Sequence, residues 1–172
     1  MNFTIRKVAI SEVRSLQQLS KKTFLEAYSE TNTPSSMKIY IEEKFSLENL
    51  SKELGNPNSE FYFIEHNYEK MGFLKINLGS AQTETMPTTT LEIERIYIVE
   101  KHQGKKLGQS LLNFALKLGK KRAVDFIWLG VWDQNHKAIE FYKRNQFETF
   151  STHTFVLGEE QQIDLLMKRY LD

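Results

Sequence analysis

The segment from Leu91 to Trp132 constrains the fold more than any other part of this 172-residue chain. Its apolar run LEIERIYIV (91–99) predicts a strand, and the spacing of apolar residues over 107–118 predicts an amphipathic helix. The run DFIWLGVW (125–132) predicts a second strand. Two strands joined through a helix pair in parallel by a right-handed crossover. The segment therefore predicts the centre of a mixed sheet.

Further strands and helices are predicted on both sides of this unit. They are a strand at 3–8, helices at 11–30, from Pro34, and from Ser46 to about Gly55, a hairpin at 61–78, a helix at 136–144, and a hairpin of 147–157 with 161–171. The polar, threonine-rich segment 79–90 is interpreted as an exposed loop, not a domain boundary. The chain is thus predicted to be one α/β domain over residues 1–172, an α+β mixed sheet with helices on its faces.

Composition excludes several classes of site. The chain has no cysteine, which excludes disulfides, thiolate metal ligands and a cysteine nucleophile. The histidines share no metal-ligand spacing, so no metal is predicted; they are His66, His102, His136 and His153. No apolar stretch reaches about 18 residues, and the N-terminus is too short and polar for a secretory signal, so we expect no membrane span and a cytoplasmic protein.

The net charge of +1 conceals an uneven distribution. Residues 101–122 carry seven basic residues and no acid, and the rest of the chain holds 16 basic and 22 acidic residues. The basic segment suits a phosphate, and the acidic remainder suits a cation. Lys105 and Lys106 are the better phosphate candidates, because the basic residues of 117–122 are interpreted as a solvated helix face.

A glycine loop, Gln103 to Gly108, lies between the strand at 91–99 and the helix that follows. The start of a helix presents unpaired N–H groups, and glycine lets a phosphate approach the backbone, so the loop is a candidate pyrophosphate cradle. Its spacing matches neither a P-loop nor a dinucleotide-binding fingerprint. A glycine-containing turn of this kind is structural about as often as functional, so the loop alone is a weak signal.

Two motifs together carry a resemblance. Q-x-x-x-x-G at 103–108, followed by N-x-x-A-x-x-F-Y-x-x-x-x-F at 135–147, resembles the GCN5-related N-acetyltransferase (GNAT) superfamily. The segments SLQQLSKKTF, LEIERIYI, IWLGVW, AIEFYK and QQIDLLMK resemble its bacterial spermidine/spermine acetyltransferases. The resemblance implies a central twisted sheet with two splayed parallel strands. It also implies transfer of acetyl from acetyl-CoA to a polyamine, and without cysteine we expect direct transfer in a ternary complex.

The resemblance also implies a set of acetyl-CoA contacts. The backbone of Ile96, Tyr97 and Ile98 would bind the pantetheine arm, and Asn135 would contact the same arm. Arg144 would lie near the nucleotide phosphates. The residues expected around the pyrophosphate are Gln103, Gly104, Lys105, Lys106, Leu107, Gly108 and Gln109.

Two positions depart from the family pattern. Lys106 replaces the first glycine of the loop motif, and Gly104 is expected to supply the flexibility instead. Gln146 replaces the usual glycine before Phe147, which leaves Asn145 to adopt any left-handed helix cap.

The expected reaction needs a proton acceptor, because an amine with a pKa of about 10.4 is almost fully protonated at pH 7. Glu92 and Glu94 are two residues apart on a strand and therefore share a face, and two carboxylates close together raise the pKa of one of them, as a base needs. By position, Glu94 matches the glutamate that serves as the base in animal spermidine/spermine acetyltransferases of this fold. Glu92 matches the glutamate that histone-acetylating members use. Glu94 is the preferred base. For Glu92, a catalytic role and a structural role are equally supported by the sequence. In the structural role it is a solvated strand residue or pairs with a basic side chain.

The leaving thiolate is served by a proton donor. The resemblance places Tyr142 near the sulfur, and a phenol with a pKa of about 10 is protonated at pH 7. Its spacing alone would favour a core aromatic. An N–H group of residues 96–98 is a candidate to polarise the carbonyl oxygen.

The acceptor remains open within the enzyme class. Acidic residues expected near the acceptor are Glu26, Glu30, Glu42, Glu43 and Glu84. Alternatives to a polyamine are a protein lysine or N-terminus, an amino acid or an antibiotic. A non-catalytic acyl-CoA-binding regulatory module is a further alternative. Nucleic-acid binding is disfavoured, since residues 101–122 contain only one aromatic residue, and both a monomer and a homodimer stay open.

Overall fold

The computed structural model describes residues 2–171 and arranges its strands in one seven-stranded sheet. The strands are β1 (Thr4–Lys7), β2 (Ser59–His66), β3 (Glu69–Leu78), β4 (Thr90–Ile98), β5 (Phe126–Trp132), β6 (Glu148–Leu157) and β7 (Glu160–Tyr170). The α-helices are α1 (Val13–Tyr28), α2 (Pro34–Lys44), α3 (Leu47–Gly55), α4 (Leu107–Lys121) and α5 (His136–Arg144). This order of elements is the one that the sequence predicts.

The sheet has the order β1-β2-β3-β4-β5-β7-β6. Among the described strands, the pair β4–β5 is parallel and every other neighbouring pair is antiparallel. The prediction of an α/β protein with a mixed sheet and a central parallel pair is therefore confirmed. The last strand, β7, lies between β5 and β6, so the closing hairpin extends the sheet beyond β5.

Apolar clusters on the two faces of the sheet hold the helices in place. Leu111, Leu112 and Ala115 of α4 are fully buried against β3, β4 and β5. On the opposite face, Leu16 of α1 and Leu50 of α3 are fully buried with phenylalanines of β2 and β3. Burial of each of these leucine side chains contributes about 1.5–3 kcal/mol. Helices therefore cover both faces, as the sequence predicts.

The central parallel pair is short. Residues Thr90–Glu92 of β4 pair with Phe126–Trp128 of β5, and no further pairs form between the two strands. On its other edge β4 continues to pair with β3 as far as Ile98. The two parallel strands therefore separate after three residues, which is the predicted splay.

A β-bulge interrupts β4 at the start of this separation. Lys75 of β3 pairs with Arg95, and the next residue, Ile76, pairs with Ile93, which leaves Glu94 without a partner. A bulge breaks the alternation of side chains between the faces of a strand. The side chains of Glu94 and Arg95 consequently contact each other, at 3.2 Å.

Left-handed backbone is retained at both positions that depart from the family pattern. Lys106, immediately before α4, has φ +61°, the conformation in which glycine is normally favoured. After α5, Gln146 has φ +65°, whereas Asn145 has φ −94°. The expectation that Asn145 adopts the left-handed cap is therefore wrong. Position 146 keeps that conformation, because its N–H donates to the carbonyl of Lys143 at 2.9 Å while Phe147 is buried.

Candidate active site

A cavity of about 460 Å³ opens where β4 and β5 separate. Its walls are formed by α1, α2 and the end of α3, by both splayed strands, by α5, and by β6 and β7. Residues 79–89, which connect β3 to β4 and are called the strap from here on, close one side. The predicted exposed loop at 79–90 is thus partly a cavity wall, and its last residue already belongs to β4.

One edge of β4 faces this cavity without a strand partner. Ile96, Tyr97 and Ile98 pair with β3 on one side and line the cavity on the other. The side chain of Gln103 also lines the cavity, and its amide donates to the carbonyl of Ile98 at 3.3 Å. Unpaired backbone groups on such an edge can bind an extended amide-containing chain as an additional strand does.

The loop that leads into α4 presents backbone N–H groups to solvent. The first turn of α4 contains no acidic residue, and no side chain caps it. Gly104 has φ +75°, and a Cβ atom added there would have no heavy atom within 4 Å. Leu107 contributes its backbone alone, because its side chain is buried in the core. An uncapped helix start with open space before it suits a pyrophosphate.

Other residues predicted to contact the cofactor have contacts of their own. The Gln109 amide donates to Asn145 Oδ1 at 2.7 Å and thereby joins α4 to the end of α5. Asn135 lines the cavity, but its Oδ1 accepts the N–H of Ala138 at 3.2 Å and caps α5. Lys105 Nζ lies 3.4 Å from His102 Nδ1, and Arg144 is exposed.

Tyr142 projects from α5 into the cavity wall. The residue is only 7% exposed, and it lines the cavity. Burial raises the pKa of this phenol above its usual value. Tyr142 therefore stays protonated over the physiological pH range and has a proton available for a group in the cavity.

Glu92 lies in the cavity wall in direct contact with the strap. Asn77 Nδ2 donates to its carboxylate at 3.0 Å, and the Thr83 N–H and hydroxyl donate to it from the strap. Burial raises the pKa of Glu92; the hydrogen bonds of Thr83 and Asn77 oppose that rise, and the charge of Glu94 adds to it. A buried carboxylate with a raised pKa is suited to accept a proton.

Glu94 has the opposite electrostatics. Its carboxylate contacts Lys75 Nζ and Arg95, and it accepts from Asn77. Burial acts to raise the pKa of Glu94, but the charges of Arg95 and Lys75, with hydrogen bonds from Lys75 and Asn77, lower it to about 2. The two glutamates share a face, as predicted, because one amide reaches both. Because its pKa is lowered and its oxygens contact cations, Glu94 is less suited than Glu92 to accept a proton.

The rest of the cavity is acidic and aromatic. Of the predicted acceptor carboxylates, Glu43 and Glu84 line the cavity. Glu26 instead accepts the N–H of Glu100 at 2.9 Å, while Glu42 pairs with Lys38 on α2 and does not line the cavity. Neither these two nor Glu30 contributes to the cavity wall.

Asp164 of β7 is a cavity residue that sequence reasoning missed. Burial raises the pKa of Asp164 to about 6, His153 lowers it and Asp133 raises it. Its Oδ2 lies 3.2 Å from the position a Cβ atom would take at Gly130, the mid-strand glycine of β5. No local motif marks Asp164, because only the insertion of β7 beside β5 brings it to the cavity.

Two further observations concern metals and membranes. Among residues 2–171, no three or more side chains of His, Cys, Asp or Glu lie together in a way that would hold a metal ion. Within the same residues, no helix is both long enough and apolar enough to cross a membrane.

The central parallel strands separate over a cavity, with an open strand edge and an uncapped helix start beside it, and this arrangement accompanies an acyltransferase assignment. The chain belongs to the acetyltransferase (GNAT) family, whose family model matches residues 14–147. The donor of the acetyl group in this family is acetyl-CoA.

Similar proteins support the same assignment. An uncharacterized N-acetyltransferase of the pepI 3′ region of Lactobacillus delbrueckii subsp. lactis is 35% identical over 167 residues, covering 97% of this chain and 96% of that protein. The spermidine N(1)-acetyltransferase of Thermoplasma acidophilum is 25% identical over 156 residues, covering 88% and 92%. The crystal structure of the PaiA N-acetyltransferase from Thermoplasma acidophilum in complex with coenzyme A superposes with a TM-score of 0.79, at 23% identity and 99% coverage of both chains.

Proposed function

We propose that this N-acetyltransferase transfers acetyl from acetyl-CoA to a primary amine of a polyamine such as spermidine or spermine, in a ternary complex. The acidic and aromatic lining of the cavity is the main support for this proposal. Six carboxylates line it, from Glu43, Glu53, Glu84, Glu92, Glu94 and Asp164, against two permanent cations, Lys44 and Arg95. Aromatic rings of Tyr28, Trp132 and Phe155 also line it. Carboxylates and aromatic faces together attract alkylammonium groups.

The residues fit acetyl-CoA at the neighbouring end of the site. The open edge of β4 at Ile96–Ile98 would hold the pantetheine arm, and the N–H groups from Gly104 to Gln109 would hold the pyrophosphate. Lys105, Lys106 and Arg144 are exposed, and would add positive charge near the phosphates. Acetyl-CoA supplies an activated thioester acetyl group.

The chain's own residues then control protons. Glu92 takes a proton from the substrate ammonium: an N–H bond breaks, an O–H bond forms, and the nitrogen keeps the lone pair with which it attacks. Tyr142 would donate its phenolic proton to the sulfur as the C–S bond breaks. The extra proton that remains on the acylated nitrogen would then return the tyrosinate to a phenol, which leaves a neutral amide and a thiol. Backbone N–H groups of the open edge of β4 polarise the carbonyl oxygen.

Several properties remain predictions on the same footing. They are a single N-acetyltransferase domain over residues 1–172, a cytoplasmic location, and a monomer or homodimer. The distant spermidine acetyltransferase of Thermoplasma acidophilum supports the choice of polyamine among possible amines. The closer relative from Lactobacillus delbrueckii subsp. lactis has no stated acceptor.

The test is thiol release from acetyl-CoA across a panel of amines: spermidine, spermine, a lysine peptide, an amino acid and an aminoglycoside. We expect turnover with the polyamines and at most weak turnover with the rest. Tyr142→Phe serves as a control and should lower kcat by about 10-fold or more while acetyl-CoA affinity stays constant. Preference for a non-polyamine acceptor would overturn the substrate assignment. Binding of acetyl-CoA without turnover on any amine would indicate a regulatory module.

A further inference from the structure

The strap is fastened to the sheet at three points. Gln82 Oε1 accepts from Trp128 Nε1 at 2.8 Å and from the Thr90 hydroxyl at 2.7 Å. Glu84 Oε1 lies 2.7 Å from Nδ1 of His153 on β6. Between these two points, Thr83 contacts Glu92. The middle fastening of the strap is thus the carboxylate assigned above as the proton acceptor.

Thr83 makes two different hydrogen bonds to that carboxylate. Its backbone N–H donates to Glu92 Oε2 at 2.9 Å, and its hydroxyl donates to Oε1. The remaining neighbour, the Asn77 amide, donates to Oε2 at 3.0 Å, while its own carbonyl oxygen accepts from Ser59 at 2.8 Å. Three donors therefore hold the charged form of Glu92 in one orientation.

Proton transfer changes what Glu92 requires. A charged carboxylate only accepts hydrogen bonds, whereas a carboxylic acid must also donate one. A backbone N–H and an amide NH₂ can only donate. The Thr83 hydroxyl is the one group among these three partners that can rotate and accept, so it alone serves Glu92 both before and after the transfer.

We propose that Thr83 is a positioning residue for the proton acceptor, and that its hydroxyl donates to the Glu92 carboxylate before proton transfer and accepts from the carboxylic acid afterwards. This inference rests on the proposed role of Glu92. The proposed role of Thr83 explains why this exposed strap residue is hydrogen-bonded to Glu92, which is only 3% exposed.

Removing the Thr83 hydroxyl should change the pKa of Glu92 in one direction. A hydrogen bond to a charged group is about twice as strong as one between neutral groups. Its loss therefore penalises the carboxylate more than the carboxylic acid, and the pKa of Glu92 rises. A higher pKa keeps the acceptor protonated up to a higher pH, so the acid limb of the pH–rate profile moves upward by about half to one pH unit.

Other charges near Glu92 are the same in every variant compared. Glu94 lies on the same strand, and Lys75 and Arg95 neutralise it. Asp164 of β7 and the contacting residues His153 and Glu84 line the same cavity. Because each variant keeps these groups, a difference between profiles reports the substituted side chain.

The experiment compares the pH dependence of kcat, at saturating acetyl-CoA and the best amine of the panel, in Thr83→Val, Thr83→Ser and Gln82→Ala. Thr83→Val removes the hydroxyl and keeps the volume and the N–H group. Thr83→Ser keeps the hydroxyl, and Gln82→Ala releases another fastening of the strap. We expect an upward shift of the acid limb in Thr83→Val, and wild-type limbs in the other two.

Glu92→Gln separates the failure of this inference from that of the proposed base. Loss of the acid limb in Glu92→Gln, with no shift in Thr83→Val, overturns the role of Thr83 alone. An equal shift in Gln82→Ala overturns it as well, since strap closure would then be the cause. An acid limb that persists in Glu92→Gln overturns Glu92 as the acceptor and the role of Thr83 with it.

Discussion

One amide, Asn77, contacts two carboxylates that differ in electrostatics. It donates to Glu92 and to Glu94, which are two residues apart on β4. Glu92 has polar neutral partners, so burial dominates and its pKa is raised. Glu94 faces Lys75 and Arg95, so its pKa is about 2. The surroundings of each group, more than its position in the chain, decide which of the two can exchange a proton.

Substitution of the two glutamates should separate catalysis from stability. Glu92→Gln should lower kcat about 100-fold or more and change stability little, because the amide keeps the volume and removes the proton acceptor. Glu94→Gln should cost about 3 kcal/mol of unfolding free energy, because it leaves two buried cations with Glu53 as their remaining partner. The measurements are steady-state kinetics and urea denaturation of both variants.

The reverse pattern would contradict this assignment. A Glu94→Gln variant that keeps wild-type stability but loses activity would restore Glu94 as the base. Each variant serves as the control of the other, because both exchange a glutamate for its amide on the same strand, two residues apart.

The sequence predicts that these glutamates share a face, but it does not predict which has the raised pKa. Alternation along a strand is local and follows from the residue order. The cation Lys75 comes from β3, and the bulge that turns Arg95 toward Glu94 is a property of the β3–β4 pairing. Asn77 on β3 and Thr83 on the strap reach Glu92, and Asp164 on β7 reaches the cavity, only in the assembled fold.

Among the elements, the ends of α4 and α5 show how backbone geometry persists when glycine is absent. Lys106 precedes α4 and Gln146 follows α5, both in the left-handed region. A residue with a side chain pays about 1–2 kcal/mol for that conformation. The surrounding hydrogen bonds and buried neighbours impose the turn in each case, so the strain is local and removable.

Gln146→Gly should stabilise the protein by about 0.5–1 kcal/mol. Glycine removes the left-handed strain but gains about 0.5–1 kcal/mol of unfolded-state entropy, which offsets part of the benefit. The Gln146 side chain is exposed, so little packing is lost. Urea denaturation measures the change in the free energy of unfolding.

Lys117→Gly is the matched control, because Lys117 is exposed in the interior of α4. Glycine there should destabilise by about 1 kcal/mol. Destabilisation by Gln146→Gly of the same size would show that position 146 is not strained.

The succession of elements was predictable, whereas their lateral arrangement was only partly so. Periodicity located the helices and strands, and the β–α–β unit predicted the parallel pair of β4 and β5. No local sequence pattern predicts that β7 lies between β5 and β6. The strand β6 comes first in the chain after α5, and either strand of the closing hairpin could pair with β5. That choice decides which side chain, here Asp164, enters the cavity.

Across the whole molecule, charge is divided between the two ends of the proposed site. The exposed Lys105, Lys106 and Arg144 lie beside the start of α4 and the end of α5, while the carboxylates line the cavity beyond the splay. An anionic donor and a cationic acceptor would therefore each meet complementary charge. A buried carboxylate kept for this purpose lowers the stability of the protein without substrate.

Substitution of Asp164 tests whether a buried carboxylate that favours acceptor binding also lowers the stability of the protein without substrate. Its pKa is raised to about 6, so the folded protein binds the proton more tightly than the unfolded chain. The stabilisation is present below the unfolded pKa of 3.8 and is lost as the pH rises through 6. Keeping Asp164 charged at pH 8 costs about 1 kcal/mol of folding free energy after allowance for partial exposure. Asp164→Asn removes that cost and should therefore raise the thermal midpoint at pH 8 by about 2–4 °C. At pH 4 the substitution should change the midpoint little.

The same substitution should weaken acceptor binding. Loss of the carboxylate removes an attraction for a second ammonium group, so KM for spermidine should rise about 10-fold while KM for acetyl-CoA stays constant. Asp125→Asn, an exposed aspartate before β5, is the control and should change neither stability nor KM. A gain in stability without a change in KM would leave the charge of Asp164 without a role in the acceptor site, because a residue that contacts the polyamine must alter both quantities in opposite senses.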